Sequence, residues 1–290
     1  MPIQAILLIL AAAVIHATWN FQVKKVQGGD AFTWLTSVIS SVVLLPPVLY
    51  FYGQSAFTLS PVQWAAVAVS GALHMAYARQ LQRGYAVADL SVVYPLARGT
   101  GPLLTVIAAV LFLGESPSWL GWLGVAGVVL GALVIAGADK MLHGGLHNPK
   151  TLLGVRYGFL IGLWIATYSV ADGYAVKVLL VAPLVLDWWG NLMRAALLSP
   201  SAYRTRAEIA PLWQRAWGGA LIVGALAPTS YILVLTALQY APLSAVAPAR
   251  ELSMLIGAFL GAKLLAEGDM RRRLCGAGLI ALGVAALALG

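Results

Sequence analysis

Few residues in this chain could do chemistry, and most of them lie inside apolar runs. His16, Trp19 and Asn20 share one run, and His74, Tyr77 and Gln80 share another. Tyr94, Pro95 and Arg98 lie in a third, and Trp164, Tyr168 and Asp172 in a fourth. Asp187, Asn191 and Arg194 follow, then Pro228 with Tyr231, then Pro248 with Arg250 and Glu251. Spacings of three and four residues put such groups on one helix face. A histidine can hydrogen-bond a ligand or move a proton near neutral pH. An arginine can clamp a carboxylate, and Trp and Tyr can wall a pocket for an apolar or aromatic group. Plainer readings stand beside these. His16 can bond a neighbouring helix, a contact worth about 1 kcal/mol in a membrane. Aromatic residues near helix ends can belong to an interfacial belt, though His74 sits deeper than that belt. Arg98 can pair internally with Glu251 or Asp187. The row at Asp187 can bind a ligand or only tie helices together.

Covalent and metal chemistry have no comparable support. The sequence holds no HExxH, no GxSxG and no pair of acids in a protease-like setting. Cys275 is the single cysteine, which excludes an internal disulfide and a Cys-based metal site. His143 and His147 are four apart in a loop but have no acid or cysteine beside them. No metal and no cofactor is expected, and no GxxxxGK[ST] suggests a built-in ATPase.

The elements that must position these residues are membrane helices. The chain has 290 residues, 61% hydrophobic and only 10% charged, with a mean hydropathy of +0.86. A water-soluble domain carries about 25% charged residues. Apolar runs of spanning length fall at about 3–21, 31–52, 62–82, 90–113 and 119–137. A second set falls at about 152–172, 181–200, 216–237, 243–264 and 273–289. They are continuous and not alternating, so they predict helices and not barrel strands. The first run has no basic residue before it and Lys24 and Lys25 after it, and it reads as an uncleaved first span. The net charge of +8 sits in short loops and forms no broad patch, so nucleic acid is not an expected partner.

The runs repeat. Leu90-Ser91-Val92-Val93-Tyr94-Pro95 lies over Leu243-Ser244-Ala245-Val246-Ala247-Pro248, and after one slip Arg98 lies over Arg250 and Glu115 over Glu267. Ala17-Thr18-Trp19 lies over Ala166-Thr167-Tyr168, and Trp34 over Trp188. The fifth and tenth runs are both rich in glycine and alanine, which suits close helix contact in lipid. The expected organisation is residues 1–138 as one five-helix repeat, 139–151 as a connecting loop and 152–290 as a second repeat.

Basic residues fall in the odd-numbered loops, at Lys24, Lys25, Arg79, Arg83, Lys140, Lys150, Arg204, Arg206, Arg215 and Arg271 to Arg273. Lys177 is the exception. The positive-inside rule then places odd loops in the cytoplasm and both termini outside. The two repeats carry opposite charge bias, as inverted repeats do. The expected fold is an all-α membrane protein of ten transmembrane helices, as two inverted five-helix repeats around a central cavity. Paired charged helices bearing Pro95 and Pro248 within such repeats point to a secondary transporter. The two prolines are expected to act as matched hinges.

These features resemble the drug/metabolite transporter superfamily. They are ten helices as five plus five, an ALQYAPLSAVAPARE segment opening the ninth, and Gly-Glu or Ala-Glu closing the fourth and ninth. Within it the chain is similar to EamA-type exporters and most resembles bacterial aromatic amino acid exporters. The resemblance implies export of small metabolites, amino acids with aromatic or other apolar side chains foremost, across the bacterial inner membrane. The partners it implies are a small-molecule substrate and the lipid bilayer, with a monomer as the working unit. The charge bias departs from typical members, whose termini are cytoplasmic. The expected substrate-binding set is His74, Tyr77, Tyr94, Arg98, Trp164, Tyr168, Tyr231, Arg250, His16, Trp19 and Asn20. An intramembrane enzyme is the alternative, as is a transporter of the same fold for another drug or metabolite.

Overall fold

The structure is a computed structural model and describes residues 1–26, 28–88, 90–136, 149–256 and 270–290. Among these residues ten α-helices have both ends described, residues 252–256 are also helical, and there is no strand. The ten begin with α1 (Ile3–Val26), α2 (Gly29–Tyr52), α3 (Pro61–Val87), α4 (Leu90–Leu113) and α5 (Trp119–Ala136). The second half supplies α6 (Pro149–Lys177), α7 (Pro183–Arg204), α8 (Arg206–Ala237), α9 (Leu243–Ala249) and α10 (Met270–Leu289). The loop holding Lys140, His143 and His147 lies outside the described residues, as do Lys263 and Glu267.

Local chemistry sets several helix limits. Ser60 and Gln63 cap α3 reciprocally, with Pro61 in the first turn where its missing N–H costs nothing. Helix α6 begins at Pro149, inside the expected connecting loop, and ends at Lys177, beyond the expected 172. Helix α8 begins at Arg206, ten residues before the expected start, but its backbone breaks at Ala216, with φ −139° and ψ 17°. The expected span therefore begins at this break, and the turns before it carry Arg206, Glu208, Gln214 and Arg215.

Among the described residues, five stretches are long and apolar enough to cross a bilayer: Ile3–Val23, Gly29–Ala56, Val92–Leu113, Thr151–Lys177 and Arg206–Ala237. Trp119–Ile135 and Leu274–Leu289 are apolar but shorter. Helices α3 and α7 have the length but not the hydropathy. Helix α3 carries His74, Arg79, Gln80, Gln82 and Arg83, and α7 carries Asp187, Asn191, Arg194 and Arg204. Of these, His74, Asp187, Asn191 and Arg194 pack within the bundle, while Arg79, Gln82, Arg83 and Arg204 are exposed.

Helix pairing follows side-chain size. The most extensive contact joins α5 to α10. A Cβ on Gly131 would stand 2.6 Å from the Gly276 carbonyl oxygen, and one on Gly124 would stand 2.7 Å from that of Gly283. Only glycine permits that approach, which is how helices associate in lipid. Helix α4 meets α6 in the same way, where a Cβ on Gly158 would lie 3.0 Å from the Val93 carbonyl. Helix α1 lies along α8, and α2 along α7 and α8. The Ser40 hydroxyl donates to the Gly224 carbonyl at 2.7 Å, joining α2 to α8.

One end of the bundle is tied tightly. The Met1 ammonium donates to the Ala288 carbonyl, so both termini meet there. At the same end the Glu115 carboxylate accepts the backbone N–H groups of Leu243 and Ser244, each at 2.8 Å. Lys177 donates to Glu115 at 3.2 Å. Lys177, the exception to the pattern of basic odd-numbered loops, thus has a partner two helices away. Trp188 and Trp189 donate their indole N–H groups to the Ser41 and Ala56 carbonyls, each at 2.9 Å. The largest apolar core, including Ile9, Val176, Leu186, Leu235, Leu238 and Val246, fills the interior.

Candidate functional site

Inside the bundle the polar residues form two clusters. The first joins α4 to the turn after α9. Regular helical bonding ends at Ala249, just past Pro248, and shorter bonds follow, from Glu251 N–H to the Pro248 carbonyl and from Ser253 N–H to the Arg250 carbonyl. This turn places Arg250 and Glu251 on different sides. Glu251 is 1% exposed and accepts from Arg98 Nη1 at both carboxylate oxygens, at 3.2 Å each. One nitrogen serves both contacts. The Arg98 guanidinium also lies 5.6 Å from the Tyr94 ring centroid, so the i,i+4 pair of the sequence is a real neighbour pair.

The second cluster joins α3, α6, α8 and the same turn. Arg250 donates from Nη2 to the Tyr168 hydroxyl at 3.3 Å. The Tyr168 ring lies 4.3 Å from that of His74, and Tyr77 flanks Tyr168 at 5.4 Å. His74 Nε2 lies 2.9 Å from Asp172 Oδ2, and the Tyr231 hydroxyl donates to the same oxygen. Asp172 is 0% exposed. Its other oxygen, Oδ1, is buried and has no hydrogen-bond partner, and the same holds for the Ser169 hydroxyl one turn earlier. A small recess with room for about one water lies against Ser169, Tyr231 and Arg250, its far wall formed by Val234, Leu235, Leu238, Leu243, Val246 and Ala247.

Two further groups border these clusters. Trp19 donates its indole N–H to Ser230, the neighbour of Tyr231, at 3.1 Å. The His16 ring stands edge-on to Trp19 at 4.7 Å, and Asn20 donates to the His16 carbonyl at 3.0 Å. On α7, Asn191 donates to Asp187 Oδ2 at 2.8 Å, and Arg194 lies in the field of both Asp187 and Asp172.

The structure therefore brings together His74, Tyr77, Tyr168, Tyr231 and Arg250, and pairs Tyr94 with Arg98. Trp164 is half-buried on α6, and among the described residues no hydrogen bond or ring contact joins it to either cluster. Asp172, Glu251 and Ser169 belong at the centre, yet none of the three is in the expected substrate-binding set. The signal for Asp172 was present: a lone acid one turn beyond Tyr168, inside a spanning run.

Residues 3–137 match the sequence profile of the EamA-like transporter family. A solved crystal structure is similar over 100% of this chain and 98% of its own, at 17% identity with a TM-score of 0.81. The likeness extends the shared fold across both halves. No curated protein sequence matches the chain.

Proposed function

We propose that the protein is a secondary transporter that exports amino acids with aromatic or other apolar side chains across the bacterial inner membrane. Two inverted repeats, residues 1–138 and 152–290 on either side of the loop 139–151, alternate access to a central site. The observation that carries the reading is the buried polar cluster itself, built from α3 and α4 of one half and α6, α8 and α9 of the other. Buried ionisable groups are costly in a membrane and mark substrate pathways by default.

Helix pairing supports the repeat. Under a shift of five helices, α1 on α8 becomes α6 on α3, and α2 on α8 becomes α7 on α3. Likewise α4 on α5 becomes α9 on α10, while α2 with α7, α4 with α9 and α5 with α10 are partners of themselves. Such exchange of roles is what an alternating-access device of two halves needs.

In this reading His74, Tyr77, Tyr168, Tyr231 and Arg250 contact the substrate. Tyr94 and Arg98 flank it, His16, Trp19 and Asn20 form the wall from α1, and Trp164 meets the substrate from α6. Pro95 and Pro248 are matched hinges. Pro95→Ala and Pro248→Ala should each slow turnover more than they weaken binding, and parent turnover in both would remove the hinges from the mechanism. The basic loops are cytoplasmic and both termini lie outside, so a reporter that works only in the cytoplasm should be silent when fused at Gly290. The function is tested by uptake of labelled apolar amino acids into proteoliposomes, with and without a pH gradient. Saturable uptake that unlabelled amino acid competes away supports it, and equal flux in protein-free vesicles refutes it.

A further inference from the structure

We propose that the site selects zwitterions by reading both of their charged ends: Arg250 takes the carboxylate, and the free oxygen of Asp172 takes the ammonium. The proposal rests on the amino acid reading above and adds to it which charges the site requires and where each binds.

The charge inventory leads there. Among the described residues, Asp172, Asp187 and Glu251 are buried acids, and Arg98, Arg194 and Arg250 are partly buried bases in their neighbourhood. Arg79, Arg83 and Arg156 are exposed. Arg98 and Glu251 consume each other. Asp187 is held by Asn191 and by the field of Arg194. Arg250 and Asp172 remain, at the two ends of one chain of contacts running through Tyr168 and His74. Arg250 donates to a neutral hydroxyl. Asp172 Oδ2 is held by a histidine and a tyrosine.

Asp172 Oδ1 then lacks a donor. A carboxylate offers about four acceptor positions, and both known contacts fall on the other oxygen. Ser169, one turn earlier on the same face, has a second buried oxygen without a partner. An ammonium brings three N–H donors to such a pair. A lone carboxylate on Arg250 would bring an unbalanced negative charge into a medium of low dielectric, and a lone amine on Asp172 an unbalanced positive one. A zwitterion satisfies both ends and adds no net charge.

The test is displacement of labelled phenylalanine from the purified protein in detergent. The competitors are phenylalanine, 2-phenylethylamine, which lacks the carboxylate, and 3-phenylpropionate, which lacks the amine. In the unaltered protein each single-ended analogue should displace at least tenfold less effectively than phenylalanine. In Asp172→Asn, 3-phenylpropionate should rise to match phenylalanine, and in Arg250→Gln, 2-phenylethylamine should do so. Each variant is an independent arm, and a gain of affinity for one analogue does not arise from misfolding. Either analogue matching phenylalanine in the unaltered protein overturns the proposal, as does an unchanged ranking in both variants. If Asp172→Asn keeps the ranking but loses accumulation driven by a pH gradient in proteoliposomes, Asp172 holds a proton and the proposal falls. If the unaltered protein binds no apolar amino acid, the broader substrate reading fails instead.

Discussion

Arg98 and Glu251 sit opposite each other with both carboxylate oxygens on one guanidinium nitrogen. A buried pair contributes little net stability against an apolar substitute, but breaking it by removing one partner costs about 3–5 kcal/mol. Glu251→Gln should therefore lower the melting temperature of the purified protein clearly, and Arg98→Met with Glu251→Met together should recover most of the loss. Equal melting of the parent and Glu251→Gln would show that the pair is not a structural tie. This pairing was legible in the sequence as one of two options for Arg98, since an arginine at membrane depth needs an acid. The choice between Glu251 and Asp187 was not, because helical spacing fixes a face and not the neighbour that meets it. His74 and Tyr77 behaved as their i,i+3 spacing implied, since both reach Tyr168. That Asp172 would close the cluster required knowing that α3, α6 and α8 converge.

At the scale of elements, glycine spacing on α5 and α10 was readable as a contact face, and the geometry makes it quantitative. Gly131→Leu drives a side chain into the Gly276 carbonyl and Ile280. It should destabilise the protein strongly, by more than the 1–3 kcal/mol typical of overpacking in a core that can adjust. Gly278→Leu, on the same helix pair but with nothing within 4 Å of its Cβ, should melt near the parent temperature. Similar melting of the two variants would contradict the crossing. In the sequence Glu115 only closes the fourth run, yet it holds the start of α9 in the other half of the chain. Burial works to raise its pKa, but bonds from Ser244 and Leu243 and the charge of Lys177 outweigh that and hold the carboxyl below its usual value. A carboxyl lowered by folding stabilises the native state above its unfolded pKa of about 4.3, and the contribution fades as pH falls through the lower folded value. Melting temperature should thus drop between about pH 5 and pH 3 more steeply in the parent than in Glu115→Gln. Parallel pH profiles would show that the contact carries no stability.

For the whole molecule, continuous apolar runs and a charge deficit were enough to read an all-helical membrane protein. Helix number was harder: α3 and α7 fall below spanning hydropathy because they carry the polar rows that build the interior. The residues least suited to lipid are thus the ones most involved in the site. The central claim is that a buried polar cluster, shared by both halves, carries small zwitterionic substrates through the bundle. Its most direct test is counterflow: proteoliposomes loaded with unlabelled phenylalanine, at equal pH inside and out, given a trace of the labelled compound. Transient accumulation of label above equilibrium is predicted for the parent, with at least a tenfold lower initial rate in Asp172→Asn and Arg250→Gln. No overshoot in the parent across the apolar amino acids, or an undiminished overshoot in both variants, would contradict the account.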